Sequence, residues 1–390
     1  MNKLIIALFL WTGTAMAISE SKIDSIIGHH FKKYSQLEHF SAIQVSIKAA
    51  GKLTHYAVGT RSIESGSPPI TPHDLFNIGS ITKSFTAALA VIAESEDKLH
   101  LQDKLSQHLK QYPHWSNLSL TQLLNMSSGI PNYSDAPKIN YLMSVHLKQY
   151  WDQAELVDLV YPQRDNPPLK SGYFYSNTGY ILMDMILTNQ YQKPYKQLLQ
   201  EKILSPLKLK NTFYPIPQYS VEMLQRMVHG YSYNIYDNPE LLGRDVTENN
   251  LSWAGAAGGL VANSEDVIHW VDALFVTDAI LTPEQKHEMQ TLISVSDGQP
   301  MKQPDTQSPR GFGLGIVGNY DKEIGVFWLY EGETLGYRAL YMYVPKTRVI
   351  IAALFNSATN SENDHSGELM LTLYREVLRG QESHPAESTR

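Results

Sequence analysis

The chain has 390 residues, 43% hydrophobic and 18% charged, with a formal net charge of −7 and no cysteine. The apolar content excludes disorder as the main state, and the missing cysteines exclude disulfides, thiol catalysis and cysteine metal sites. Lys and Arg are scattered, with no basic stripe carrying interleaved aromatics, so a nucleic-acid partner is excluded as well.

The N-terminus reads as a secretory leader. Lys3 supplies the positive start, Leu4 to Trp11 is an unbroken apolar run, and Ala15-Met16-Ala17 is a small-x-small cleavage site. Removal of residues 1–17 would leave a mature chain starting at Ile18 in the periplasm or outside the cell. The apolar run is too short to span a bilayer and no later stretch reaches that length, so no stable membrane insertion is expected.

Residues 40 to 63 predict a hairpin, with Val45 and Ile47 on one strand, Ala50-Gly51-Lys52 at the turn and Leu53, Tyr56 and Val58 on the return. Ile81, Phe85, Ala88, Leu89 and Ile92 recur at helical spacing and predict a helix from Ser80 to Glu96. Helical pattern then dominates from about 100 to 250, with helices expected at 119–126, 153–160, 177–189 and 193–204. Strand character returns at 312–317, 325–330, 338–344 and 348–354, the last two flanking Pro345-Lys346-Thr347. A final helix from Ser366 to Leu378 should stop at Gly380, before a loose polar tail at 381–390. The simplest assembly is an α+β fold in one hydrolase-sized unit, 18–380. Its antiparallel sheet is drawn from both ends of the chain (about 40–63 and 310–356) and flanked by helices, with an all-helical subdomain (about 100–250) inserted between.

A serine followed three residues later by lysine occurs at Ser19/Lys22, Ser80/Lys83 and Ser205/Lys208. Only Ser80 opens a strongly periodic helix after a glycine. There the i,i+3 spacing puts Lys83 on the same helix face, and free N–H groups of the first turn can stabilise developing negative charge. A serine hydroxyl needs a neighbouring base, and a half-buried lysine with a lowered pKa can serve. Gly79 should let a substrate approach the backbone. A second cluster is Tyr175-Ser176-Asn177, before a helix: a tyrosine can relay a proton and an asparagine can bind an amide through donor and acceptor together. The same spacing recurs at Tyr236-Asp237-Asn238, which runs into Pro239 and reads as a turn. A third is Tyr330-Glu331-Gly332-Glu333, after a strand, where Gly332 should let a substrate lie along the strand edge.

In combination these residues resemble a known family. Ser80-Ile81-Thr82-Lys83 is similar to the Ser-x-x-Lys motif of class C β-lactamases, D-alanyl-D-alanine carboxypeptidases and related esterases. Tyr175-Ser176-Asn177-Thr178-Gly179-Tyr180 resembles their Tyr-Ser-Asn-x-Gly-Tyr element. Tyr330-Glu331-Gly332 falls where that family has Lys-Thr-Gly or His-x-Gly. Leu123 to Pro131, Ser205-Pro206-Leu207, Ala254 to Leu260 and Phe312 to Gly315 add softer matches in the same order. The resemblance implies Ser80 as acylated nucleophile, Lys83 and Tyr175 sharing proton transfer, Asn177 holding a substrate amide, and the N–H groups of Ser80 and Glu333 as oxyanion hole. Tyr330 departs from the pattern: a neutral phenol replaces the cation that helps bind a substrate carboxylate. Either Arg338 or another basic residue supplies the missing charge, or tight carboxylate recognition is lost.

Three readings follow. The first is a D-Ala-D-Ala carboxypeptidase-like serine hydrolase acting on a small, peptidoglycan-derived peptide. The second is an esterase or amidase of the same kind. The third is a peptidoglycan-binding module with weak or no catalysis. Fourteen histidines include no HExxH spacing, and His29-His30 reads as a solvated helix pair, so no metal and no cofactor are expected.

Overall fold

The computed structural model describes residues 5–162, 167–236 and 238–382, with side chains described from residue 20 to residue 381. The start of the leader segment, the side chains around its cleavage site, Asp237 of the second Tyr-x-Asn triplet and the tail from 383 onward lie outside the described residues. Among those described, no helix is long and apolar enough to cross a membrane.

A long helix, α1 (Ile5–Glu38), leads into the hairpin of β1 (Ala42–Ala49) and β2 (Lys52–Gly59). Ala50 and Gly51 both take positive φ, 48° and 76°, which suits a tight turn between right-twisted strands. The other seven strands of the main sheet come from the far end of the chain. They are β3 (Leu292–Ser294), β4 (Pro300–Met301), β5 (Arg310–Phe312), β6 (Val317–Asp321), β7 (Gly325–Thr334), β8 (Tyr337–Val344) and β9 (Val349–Phe355). They form one sheet of order β2-β1-β9-β8-β7-β6-β5-β3-β4, joined across the two chain ends by the antiparallel β1–β9 ladder, with Ile43 opposite Phe355 and Ile47 opposite Ile351.

The sheet is covered on both faces, which explains why β8 and β9 are buried at every position. Along β9, Val349, Ile351, Ala353 and Phe355 pack with Ile23, Ile27 and Tyr34 of α1 and with Leu369, Met370 and Leu373 of α4 (Ser366–Glu382). The alternate residues Ile350, Ala352 and Leu354 face the larger core beneath the helical region. At the centre of that core lies α2 (Thr82–Ser95). Its small residues Ala87, Ala88, Ala90 and Ala93 admit close neighbours, and Phe85 stacks on Trp270 at 3.8 Å.

Several expectations need correction. The apolar run 312–317 is not one strand: β5 ends at Phe312 and β6 begins at Val317, with a turn through Gly313 and Gly315 (φ 68°) between them. The last helix runs through Gly380 to Glu382, carried past one poor helix former by its amphipathic packing. The 193–204 helix is a short α segment, Tyr195–Leu199, followed by a π turn. His30 is not solvated: it is 5% exposed, tilted against Tyr34 and stacked with Phe40, and burial pushes its pKa down to about 4.

Candidate active site

The nucleophile's turn is built by close backbone contact. A 3₁₀ turn, Gly79–Ile81, precedes α2 and carries Ser80, the one partly exposed residue in the run from Asp74 to Val91. Gly79 has φ +49°, and a Cβ there would sit 2.5 Å from the Glu333 nitrogen. Reciprocally, a Cβ on Gly332 would lie 2.1 Å from the Ile78 oxygen and 2.7 Å from the Ser80 nitrogen. These two glycines therefore do not make room for substrate, as the sequence suggested. They let strand β7 dock on the turn, which brings the backbone nitrogens of Ser80 and Glu333 to the same end of the cleft.

Lys83 is fully buried. Its Nζ donates to Ser80 Oγ at 2.9 Å and to the Ala257 carbonyl at 2.8 Å. Ala257 belongs to the Ala254–Leu260 segment, which Leu260 pins by donating to Thr82 Oγ1 and accepting from Ile78. Burial lowers the Lys83 ammonium below its ordinary range, opposed by the neighbouring Tyr175. The Tyr175 hydroxyl lies 2.7 Å from Ser80 Oγ and 3.4 Å from the Tyr330 hydroxyl. Burial alone would raise Tyr175, but the Lys83 charge and the hydrogen bonds to Lys83, Ser80 and Tyr330 outweigh it, leaving the phenol below its usual value. Tyr330 is pushed well above its usual value, first by burial and then by Tyr175. It stands edge-on to Phe312 at 5.9 Å.

The segment carrying Tyr175 is held by the stretch from Leu123 to Pro131. Phe174 N–H donates to Met126 O at 2.8 Å, and the Ser176 and Thr178 hydroxyls both donate to Pro131 O. Asn177 opens the cleft side of α3 (Thr178–Tyr191). Its Nδ2 donates to Ser134 Oγ at 3.0 Å, while its Oδ1 is buried and makes no hydrogen bond among the described residues.

The cleft has a volume of about 580 Å³ and is lined by Ser80, Tyr175, Asn177, Tyr330 and Glu333. Strand β7 borders it with an open edge, since its ladder to β6 ends at Trp328 opposite Gly318. Arg338 does not reach this space. It is fully buried, with its guanidinium on Glu38 at 2.8 Å and Asp364 at 2.7 Å, so it cannot replace the missing cation. Among the described residues, the cation that does line the cleft is Arg310 on β5, two strands away from β7 and exposed. Sequence reasoning passed over it, as it did the Ala257 carbonyl and Ser134; no periodicity or motif spacing marks any of the three.

Two groups, the Lys83 amine and the Tyr175 phenol, thus converge on one hydroxyl, in the pattern that can activate a serine and receive its proton. The beta-lactamase family model matches residues 29–373. The chain belongs to the beta-lactamase family. It is a serine hydrolase, similar to a beta-lactamase of Providencia stuartii at 23% identity over 88% of both chains. It is also similar to penicillin-binding protein 4* of Bacillus subtilis, at 22% identity over 90% of this chain and 75% of that one. Among solved structures, the D-amino acid amidase of Ochrobactrum anthropi superposes with a TM-score of 0.76 at 22% identity, covering 93% of this chain and 99% of that one.

Proposed function

We propose that this beta-lactamase family member is an exported hydrolase of small amides or esters, acting through an acyl-enzyme on Ser80, and that it favours substrates without a carboxylate beside the scissile bond. The observation that carries the reading is the Tyr330 hydroxyl, neutral and buried at the cleft wall, with Arg338 occupied elsewhere. Export rests on Lys3, the apolar run to Trp11 and Ala15-Met16-Ala17.

In the first step Ser80 Oγ attacks the carbonyl while its proton passes to the Lys83–Tyr175 pair, 2.9 and 2.7 Å away. The carbonyl oxygen, gaining charge, is met by the N–H groups of Ser80 and Glu333. Tyr175, carrying the proton, returns it to the leaving amine or alcohol. Water then attacks the acyl-enzyme, giving its proton to the same pair, and Ser80 leaves reprotonated. Lys83 needs no external partner to stay ready, because burial keeps it deprotonated more easily than a solvated lysine. The intact contacts among Ser80, Lys83 and Tyr175 favour catalysis over a purely peptidoglycan-binding role. The D-Ala-D-Ala carboxypeptidase reading stands second, on one observation: Arg310 lines the cleft and could meet a carboxylate at the far end of a longer, peptidoglycan-derived substrate.

Tyr330→Lys tests the proposal. A hydrogen bond to a charged group contributes about 1.5–3 kcal/mol, roughly tenfold to hundredfold. The variant should raise the ratio of kcat/KM for a penicillin or D-Ala-D-Ala peptide over a simple ester by that factor. An unchanged or lowered ratio would show that position 330 does not set carboxylate preference.

A further inference from the structure

The cleft has two ends, and the proton relay tells them apart. Tyr175 returns the proton to the leaving group. Its ring stands edge-on to Phe312 at 6.5 Å, with Tyr173 beside Phe312 at 5.7 Å and Arg310 two residues along β5. The leaving group therefore occupies this end. The acyl substituent points the other way, toward a wall made by Asn140 and Met143 of the short helix Pro137–Val145, by Ser232 and Asn234, and by Trp253. Asn234 Nδ2 ties that wall to the oxyanion end of β7 by donating to Glu333 Oε1 at 3.3 Å. The groups offered there are carboxamides, hydroxyls and one indole. Asn140 is half-buried, and its carboxamide makes no hydrogen bond among the described residues. Unlike Asn177 Oδ1, its polar atoms are not sealed from solvent, so a donor and an acceptor are open to the cleft. Ser134, also half-buried, accepts from Asn177 Nδ2 at 3.0 Å and keeps its own proton to donate. Trp253 spends its Nε1 on Asn249 Oδ1 at 3.0 Å, so what it gives the cleft is apolar ring surface. Among the described residues no Lys or Arg lines this end.

We propose that the acyl end of the cleft is a saccharide subsite, and that the enzyme hydrolyses amides or esters whose scissile carbonyl is carried on a sugar ring, with Asn140 as a specificity residue. A saccharide matches what the wall presents. Each hydroxyl both donates and accepts, as a carboxamide does, and the C–H face of the ring packs on an aromatic surface. The exposed carboxylates of Asp135 and Glu333 border the same space as further acceptors for hydroxyl protons. A peptide would bring one N–H and one C=O per residue, spaced for the β7 edge and not for side chains on three separate elements. The cleft, at about 580 Å³, lies within the roughly 300–1,000 Å³ of ligand pockets, which leaves room for a ring on the acyl side.

The inference rests on the acyl-enzyme reading, and the experiment separates the two. The full-length protein is assayed with two 4-nitroanilides matched in ring size, that of methyl glucuronoside and that of cyclohexanecarboxylic acid. Alanine and N-acetyl-dialanine 4-nitroanilides and a simple 4-nitrophenyl ester are run alongside. Wild type should prefer the glucuronoside over the cyclohexane compound by about tenfold to hundredfold in kcat/KM, the span of two neutral hydrogen bonds. Asn140→Leu, similar in size and without polar atoms, should cut that ratio about threefold to tenfold, a comparison in which the active fraction of the variant cancels. Arg310→Gln, at the leaving-group end, should leave the ratio in place. A wild-type ratio near unity or reversed would overturn the inference. So would a higher kcat/KM for either alanine compound than for the glucuronoside, or a ratio unmoved in Asn140→Leu or lost in Arg310→Gln. If the simple ester is turned over and no anilide is, the inference fails alone. If Ser80 is acylated by none of the substrates, the acyl-enzyme reading fails and takes this one with it.

Discussion

Removing Lys83 or Tyr175 should move the pH dependence of acylation in opposite directions. The reactive form of the pair has lost one proton, so acylation should rise with pH through an apparent pKa below the ordinary lysine and tyrosine values. Each partner holds the other in place: Tyr175 raises Lys83 against burial, and Lys83 lowers Tyr175 against burial. In Tyr175→Phe, Lys83 keeps only the burial effect, and the rising limb should move to lower pH. In Lys83→Met, Tyr175 keeps burial without the ammonium, and the limb should move up, with acylation still climbing at about pH 10. A hydrogen bond to a charged group contributes about 1.5–3 kcal/mol, and one pKa unit is about 1.4 kcal/mol, so each limb should shift by about one to two units. Acylation near neutrality should fall by two to four orders of magnitude in either variant. Neither should unfold: Lys83→Met strands the Ala257 carbonyl at a cost of about 1–3 kcal/mol, offset by no longer burying an amine. Single-turnover acylation by an activated ester between about pH 5 and 10.5 reads the limbs directly, with thermal melting as the fold control. Limbs that move together, or not at all, would refute the coupled-pair account.

Other consequences follow from the same contacts. Gly332→Ala puts a Cβ against the Ile78 oxygen at 2.1 Å, which displaces β7 from the Ser80 turn. Activity should fall at least about a hundredfold, the cost of roughly an ångström of misplacement, while circular dichroism stays near wild type. Arg338→Met leaves Glu38 and Asp364 buried without their cation and should destabilise by about 3–5 kcal/mol in chemical denaturation, with no change in the penicillin-to-ester ratio of the folded fraction. Glu331, held near 8 against an ordinary 4.5, binds a proton more tightly folded than unfolded. Its contribution is therefore full below about 4.5 and is lost as pH rises to about 8. Wild type should lose melting temperature across that window relative to Glu331→Gln, and parallel curves would contradict the assignment.

What the sequence made legible is what local spacing controls. Ser80 and Lys83 are one helical turn apart, and the hydrophobic repeat from Ile81 to Ile92 fixes the helix that holds them, so their juxtaposition could be read directly. The strands β8 and β9 were legible for the same reason, as uninterrupted apolar runs around a turn. Tyr175 and Asn177 were found through motif order alone, since no spacing links them to a serine 95 residues away. The partners of Arg338 show the limit. Glu38 lies 300 residues upstream, at the end of a helix whose packing was not read, although Ile23, Ile27 and Tyr34 carry the helical repeat. Arg338 therefore passed for a candidate on the cleft when it is the centre of a buried ion cluster. The roles of Gly79 and Gly332 were misread for a related reason. A glycine's permissiveness is visible in sequence, but whether substrate or another strand uses the space depends on contacts more than 250 residues apart. Leu292–Ser294 and Pro300–Met301 were missed because two or three residues are too few to show alternation.

The central claim is that Ser80 is the residue acylated. Intact-mass and peptide-mapping spectrometry after incubation with a fluorophosphonate, a penicillin and an activated ester tests it most directly. The account predicts a single adduct per chain, carried on the peptide containing Ser80, formed more slowly by orders of magnitude in Lys83→Met and absent in Ser80→Ala. An adduct on any other serine, or undiminished labelling of Ser80→Ala, would contradict it.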